Sequence, residues 1–178
     1  EARSLSRFSG IRGALSTPVR EERMFDPRQR PWYVAGVGSQ SHTWTSIYID
    51  FRAAELVATR ARRVLDGAGQ LEGVVATDLS LRRLNDFVRS LKVSRHAVAF
   101  IIEPDGKLIA SSGADNVRRQ ADGSNARVNA IDSGHALQVA AYEQVRALAA
   151  LPDGIDAART LRFDGPDGQS VQLAVDRL

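Results

Sequence analysis

The sequence has 178 residues, of which 24 are Lys or Arg and 21 are Asp or Glu, so its net charge is +3. A chain of this length forms one domain or two small ones. Its 43% hydrophobic and 25% charged residues are typical of a globular protein and exclude general disorder. No apolar run approaches the roughly 18–20 residues that a membrane-spanning helix needs. Because the chain starts at Glu1 and not at Met, we expect a piece of a longer protein.

Cysteine is absent, which excludes disulfides, thiolate chemistry and cysteine-based zinc sites. The basic residues alternate with acidic ones and form no patch, so we expect no nucleic-acid partner. The histidines His42, His96 and His135 lie far apart, and neither a P-loop nor a dinucleotide fingerprint occurs. We therefore expect no metal site and no cofactor.

Three Asp-Gly turns each separate two apolar runs. This pattern is a strong short-range signal for a β-hairpin, because Gly supplies the positive φ that such turns need. The predicted hairpins pair residues 54–65 with 70–77, 98–102 with 107–111, and 160–163 with 169–175. The sequence therefore predicts antiparallel sheets.

Two helices are predicted between these hairpins. Apolar residues from Leu81 to Leu91 recur at helical spacing, as they do over residues 135–151. Residues 112–133 show no period, which indicates a long connection. The fold class is therefore α+β, with two subdomains at residues 1–92 and 93–178, each an antiparallel sheet with flanking helices.

The segment from Phe25 to Tyr33 reads Phe-Asp-Pro-Arg-Gln-Arg-Pro-Trp-Tyr. A residue before proline favours extended geometry, and in an extended run side chains two apart point the same way. Arg30 and Trp32 are therefore expected to project together. A guanidinium and an indole N–H are both donors, which suits a carboxylate.

Two strands are predicted to carry further polar residues. Residues 44–50 alternate, so Tyr48 shares a face with Trp44, Ser46 and Asp50, and Trp44 is expected to pack in the core. Residues 73–78 form a buried-type run that ends in the carboxylate of Asp78.

These segments, together with 99–110, resemble the double Cache sensors, the extracytoplasmic ligand-binding regions of bacterial membrane receptors. The resemblance is good over residues 25–112 and weaker beyond, and the long first helix of that family is absent from this chain. It implies two PAS-like (Cache) subdomains, with a ligand pocket in the membrane-distal one at residues 1–92. The membrane-proximal subdomain would be residues 93–178.

The resemblance also implies roles for individual residues. In amino-acid-binding members an Arg and a Trp hold the ligand carboxylate, and Arg30 and Trp32 occupy those places. An aspartate and neighbouring tyrosines hold the ammonium, and these match Asp78, Tyr33 and Tyr48. Phe25 stands where that subgroup has a tyrosine, so an amine contact is lost there. A carboxylate without an amine, or another small polar molecule, becomes an alternative ligand.

Each of these residues also has an ordinary structural interpretation. Arg30 can pair with Asp26 or Glu22 on the surface, and Asp78 can cap the following helix. Trp32 can belong to the core, and Tyr33 and Tyr48 can serve sheet packing as well as a pocket.

The leading hypothesis is a non-catalytic sensor module that binds a small carboxylate or amino-acid-like ligand. It would lie in the periplasm, be joined to the membrane by flanking segments and dimerise in the full receptor. A structural or dimerising spacer of the same fold is the alternative, and an enzyme comes third.

Overall fold

The structure is a computed structural model, and it describes residues 3–5, 17, 19–21, 25–91, 93–151 and 154–177. The chain forms two compact units. The first comprises Glu1–Thr43 with Ala61–Ala76, and the second comprises Trp44–Arg60 with Thr77–Leu178. The division at residues 1–92 and 93–178 stays a prediction, and Lys92 lies outside the described residues.

The first unit contains a short hairpin, a helix and the turn end of a long hairpin. Strand β1 (Arg3–Leu5) pairs antiparallel with β2 (Val19–Glu21). A 3₁₀ turn at Pro27–Gln29 leads into helix α1 (Pro31–Gly38). Gly36 is buried in this helix, where a Cβ would lie 2.5 Å from Val74 Cγ1.

Helix α1 corrects the expectation of an extended run. Asp26 and Arg30, which precede the two prolines, do have extended backbone, with φ and ψ of −101° and 109° and of −82° and 147°. Trp32, however, is helical. Proline is favoured at the first helical position because its fixed φ suits the helix and its missing N–H has no partner to lose there. Each Pro therefore starts a helical segment, and the period-two argument for Arg30 and Trp32 is wrong.

The long hairpin consists of β5 (Leu56–Leu65) and β6 (Leu71–Ser80), as the Asp66-Gly67 turn predicts. Two short strands, β3 (Thr43–Trp44) and β4 (Tyr48–Ile49), also pair with β5. The expected continuous strand over residues 44–50 is thus two strands with an irregular stretch between them. Trp44 exposes 55% of its surface, so the expectation of core packing is wrong.

Helix α2 (Arg82–Ser90) follows β6 at the position that its apolar spacing predicts. Val88 is buried, whereas Phe87 on the same stripe is 58% exposed. The helix is held to the rest of the second unit by the side chain of Asn85, whose Oδ1 accepts a 3.2 Å hydrogen bond from the Ser111 N–H.

The second unit continues with three hairpins and helix α3 (Ala136–Ala149). Two hairpins are those predicted from their Asp-Gly turns. The strand pairs are β7 (Phe100–Ile102) with β8 (Leu108–Ser111), β9 (Val117–Arg119) with β10 (Asn125–Arg127), and β11 (Arg159–Asp164) with β12 (Ser170–Val175).

The hairpin β9–β10 corrects the expectation of a long connection over residues 112–133. Its turn contains Asp122-Gly123, the same signal as in the predicted hairpins, with Gly123 at φ +81°. Asp122 Oδ1 accepts hydrogen bonds from the N–H and hydroxyl of Ser124 at 2.9 and 2.6 Å. The polar strands flanking this turn lack the apolar pattern on which the prediction depended.

The core of the second unit lies between β8, β10 and α3. Its buried members are Leu108, Val128, Ala130, Tyr142 and Val145. Leu108 lies on β8, Tyr142 and Val145 share one face of α3, and Val128 and Ala130 lie in the segment that follows β10. Within the described residues, no helix combines the length and the apolar character that crossing a membrane requires.

Candidate functional site

In the first unit, the candidate residues form two aromatic contacts. The guanidinium carbon of Arg30 lies 6.0 Å from the centroid of the Phe25 ring, at the outer range of a cation–π interaction. The rings of Trp32 and Tyr33 meet edge to face, with their centroids 5.6 Å apart. Phe25 has no hydroxyl that could bind an amine. Its ring lies beside the guanidinium of Arg30, which is the candidate hydrogen-bond donor to a ligand carboxylate.

The carboxylate of Asp26 binds a neighbouring arginine. Arg28 donates from Nε to Oδ1 and from a terminal nitrogen to Oδ2, both at 2.9 Å. Asp26 Oδ1 also accepts the Arg28 N–H at 3.0 Å, which caps the 3₁₀ turn. The surface-pairing alternative for Arg30 named Asp26 and Glu22. Glu22 lies outside the described residues, and the Asp26 carboxylate accepts three hydrogen bonds from Arg28.

In the second unit, Tyr48 and Asp78 are brought together by a residue that the sequence reasoning missed. Thr59 Oγ1 lies 2.7 Å from the Tyr48 hydroxyl and donates to Asp78 Oδ1 at 2.5 Å. Thr59 is completely buried, Tyr48 is half-buried and Asp78 is exposed. The sequence pattern that could have identified Thr59 is its position on β5. It lies between Val57 and Ala61 on the same buried face of the strand and is the polar residue among these three.

Helix capping does not explain Asp78. The residue before α2 is Leu81, and that helix has no side-chain cap. Asp78 instead lies within β6, and its carboxylate accepts a hydrogen bond from the Thr59 hydroxyl. The capping alternative is therefore wrong, and the carboxylate of Asp78 remains at the exposed surface of the sheet.

The backbone around Thr59 is fixed by a second threonine. The Thr59 N–H donates to Thr45 Oγ1 at 3.0 Å, and the Thr45 N–H donates to the Thr59 carbonyl at 2.9 Å. Asp50, the other carboxylate of this region, accepts the N–H groups of Arg52 and Ala53 at 2.9 and 2.7 Å in a turn. Asp50 therefore serves the local backbone, whereas the Asp78 carboxylate accepts its hydrogen bond from the Thr59 side chain.

The described residues contain no group of three or more His, Asp or Glu side chains that can hold a metal ion. His135, one of the three histidines, caps α3 by accepting the Gln138 N–H on Nδ1 at 3.3 Å. The prediction that Arg30, Trp32 and Asp78 line one pocket stays a prediction.

Comparison with known proteins adds sequence relatives. The chain is 37% identical over 95 residues to the methyl-accepting chemotaxis protein PctB of Pseudomonas aeruginosa. The matched residues make up 53% of this chain and 15% of PctB. It is 32% identical over 95 residues to McpG of Pseudomonas putida, with the same coverage. Over about half of its length, the chain is homologous to bacterial chemotaxis receptors. It spans about one-seventh of the length of these two relatives, and no protein-family model matches it.

Among solved structures, the ligand-binding domain of Mlp24 with asparagine matches 83% of this chain and 50% of its own chain, with a TM-score of 0.51 and 22% identity. This likeness establishes the fold. The predicted α+β class with antiparallel sheets is thereby confirmed. The chemotaxis-receptor relatives confirm the predicted resemblance to the sensors of bacterial membrane receptors.

Proposed function

We propose that this chain is the extracytoplasmic ligand-binding segment of a bacterial chemotaxis receptor and that it binds an amino-acid-like ligand without chemical conversion. The homology to methyl-accepting chemotaxis proteins and the fold shared with the Mlp24 ligand-binding domain support the receptor assignment. In the full receptor, flanking segments would join the chain to the membrane, and the chain would form a homodimer.

The ligand class follows from one observation, the hydrogen-bonded chain from Tyr48 through Thr59 to Asp78. A carboxylate is an acceptor only, and at neutral pH it attracts a positively charged donor. A primary ammonium group satisfies both requirements. Tyr48 and Asp78 therefore support a ligand that carries an amine.

The carboxylate of the ligand is assigned to Arg30 and Trp32, whose side chains carry hydrogen-bond donors and no acceptors. Tyr33 lies beside Trp32, and Phe25 beside Arg30. In this proposal, the rings of Tyr33 and Phe25 orient the donor groups of Trp32 and Arg30 and give the ligand an apolar wall. These six residues are the ones that this proposal assigns to ligand binding.

A thermal-shift experiment with matched compounds tests this proposal. L-alanine is compared with propionate, which lacks the amine, and with ethylamine, which lacks the carboxylate; L-asparagine and the other common amino acids extend the panel. A ligand at 100 times its Kd adds about 2.7 kcal/mol to the free energy of unfolding. For a protein of this size, Tm should then rise by roughly 5–11 °C.

Two substitutions connect the shift to the proposed residues. Arg30→Ala should weaken amino-acid binding by about 2–5 kcal/mol, because it leaves the ligand carboxylate without its charged partner. Asp78→Asn should also weaken amino-acid binding, because it removes the negative charge that attracts the ammonium. Asp86→Asn, on the exposed face of α2, is the matched control and should bind as the wild type does. Shifts with carboxylates alone would favour the ligand without an amine. A flat response to the whole panel would favour a structural spacer.

A further inference from the structure

We infer that Thr59 is a positioning residue that sets the charge preference of the proposed site by making the Tyr48 hydroxyl an acceptor. The inference rests on the proposed function, because it requires that Tyr48 and Asp78 face a ligand. Thr59 itself is completely buried, so it acts through these two side chains and not by contact with the ligand.

The direction of the hydrogen bonds follows from counting protons. A threonine hydroxyl has one proton, and that of Thr59 is donated to Asp78 Oδ1 at 2.5 Å, because an ionised carboxylate can only accept. The 2.7 Å contact between the Tyr48 and Thr59 hydroxyls therefore has Tyr48 as its donor. The Tyr48 proton is thus committed to Thr59, and any further hydrogen bond at the phenol oxygen is one that it accepts.

The protein holds this arrangement in place. The Thr59 N–H and carbonyl are both bonded to Thr45, at 3.0 and 2.9 Å, which fixes the backbone from which the hydroxyl projects. A β-branched side chain is also stiff about χ1. The Thr59 hydroxyl oxygen is therefore held between Tyr48 and Asp78, and its proton points to Asp78 because the ionised carboxylate can only accept.

The consequence is selectivity for charge. With Thr59 in place, Tyr48 and Asp78 both present acceptors, and a group that donates several hydrogen bonds and carries a positive charge fits them. Without the Thr59 hydroxyl, the Tyr48 proton is released and the phenol can donate to a neutral or anionic group. Asp78 at the same time loses the donor that orients its carboxylate.

The test uses Thr59→Val, which keeps the shape of the side chain and removes the hydroxyl, with Thr59→Ser as the rescue variant. Calorimetry measures the Kd of each common L-amino acid and of the matched carboxylic acid without the amino group. Because a hydrogen bond to a charged group is involved, Thr59→Val should weaken amino-acid binding about tenfold or more. Binding of the matched acid should change less, so the preference for the amine falls. Thr59→Ser should keep the wild-type preference.

Two further variants separate positioning from loss of structure. Thr45→Val removes the acceptor of the Thr59 N–H but keeps the hydroxyl chain and the Thr45 N–H bond to the Thr59 carbonyl, so it should lower the preference for the amine less than Thr59→Val does. Tyr48→Phe removes the acceptor itself and should lower that preference, and it provides a test should Thr59→Val fail to fold.

An unchanged preference for the amine in Thr59→Val overturns this inference, and where that variant does not fold, an unchanged preference in Tyr48→Phe does so. In either case, amino-acid binding by the wild type still upholds the proposed function. Failure of the wild type to bind any amino acid overturns the proposed function and this inference with it.

Discussion

The carboxylate of Asp26 shows how one residue organises the start of the segment that contains the candidate donors. Arg28 gives it two side-chain hydrogen bonds and one from its N–H, and the 3₁₀ turn begins there. The hydrogen bonds from the Arg28 side chain are the largest cause that holds the pKa of Asp26 below its usual value of 3.8, and the hydrogen bond from the Arg28 N–H is the second. Because the pKa is lowered in the folded state, the Asp26–Arg28 contact stabilises the fold at pH values above the pKa of the unfolded chain. This stabilisation is lost as the pH falls through the pKa of the folded protein.

We therefore predict that Asp26 titrates below pH 3.8 and that Arg28→Ala raises the pKa of its carboxyl toward the ordinary value. Carbon-detected NMR titration of the side-chain carboxyls measures this directly. Asp105, whose pKa is lowered mainly by the hydrogen bond from Lys107, is the internal control and should not change in the variant. An Asp26 midpoint that is the same in both proteins would contradict the prediction.

At the scale of elements, helix α1 depends on a close approach to the long hairpin. A Cβ on Gly36 would lie 2.5 Å from Val74 Cγ1 and 3.3 Å from Ala61 Cβ. Valine cannot easily turn away because its χ1 is restricted. A glycine is thus required here by packing, although alanine is the better helix former by about 1 kcal/mol.

Gly36→Ala should therefore lower the free energy of unfolding, since overpacking costs about 1–3 kcal/mol and exceeds the gain in helix propensity. Gly38→Ala is the matched control in the same helix. A Cβ at Gly38 meets nothing within 4 Å, so this variant should be as stable as the wild type or slightly more so. Urea unfolding midpoints compare the two, and equal midpoints would show that Gly36 makes no such demand.

At the scale of the whole molecule, one arginine joins parts of the second unit that are 80 residues apart in sequence. Arg127 on β10 donates to the Ile47 carbonyl at 3.0 Å and to the Leu108 carbonyl at 3.2 Å, and it pairs with the Glu103 carboxylate. Its side chain is 10% exposed and that of Glu103 is 21% exposed. The stretch before Tyr48 is therefore anchored to the core built on β8.

We predict that Arg127→Met lowers the free energy of unfolding by about 3–5 kcal/mol, because it leaves the Glu103 charge without this partner in a poorly hydrated position. The double variant Arg127→Met with Glu103→Met should recover part of the loss. Arg118→Met is the control, since that exposed side chain makes one hydrogen bond, to the Asp132 carbonyl, and should cost about 0.5 kcal/mol or less. Denaturant unfolding checks all three, and a small loss in Arg127→Met would contradict the anchoring role.

The amino-acid sequence by itself determined the hairpins and the two longer helices. Asp-Gly turns and the spacing of apolar residues act within a few positions of the chain, so β5–β6, β7–β8, β11–β12, α2 and α3 follow from local rules. The hairpin β9–β10 has the same Asp-Gly turn at Asp122-Gly123, so the turn rule alone would have predicted it. The motif residues from Phe25 to Tyr33 were also recognisable, although their helical geometry was not.

Tertiary structure decided the rest. The sequence permits both an extended and a helical path after each proline in the Phe25–Tyr33 segment, and the packing of Gly36 against Val74 is compatible with the helix. Thr59 acquires its role only when β4 and β6 lie near the same part of β5. Arg127 likewise gains its partners from residues up to 80 positions away. Such contacts depend on how distant segments meet, which local propensity and spacing do not specify.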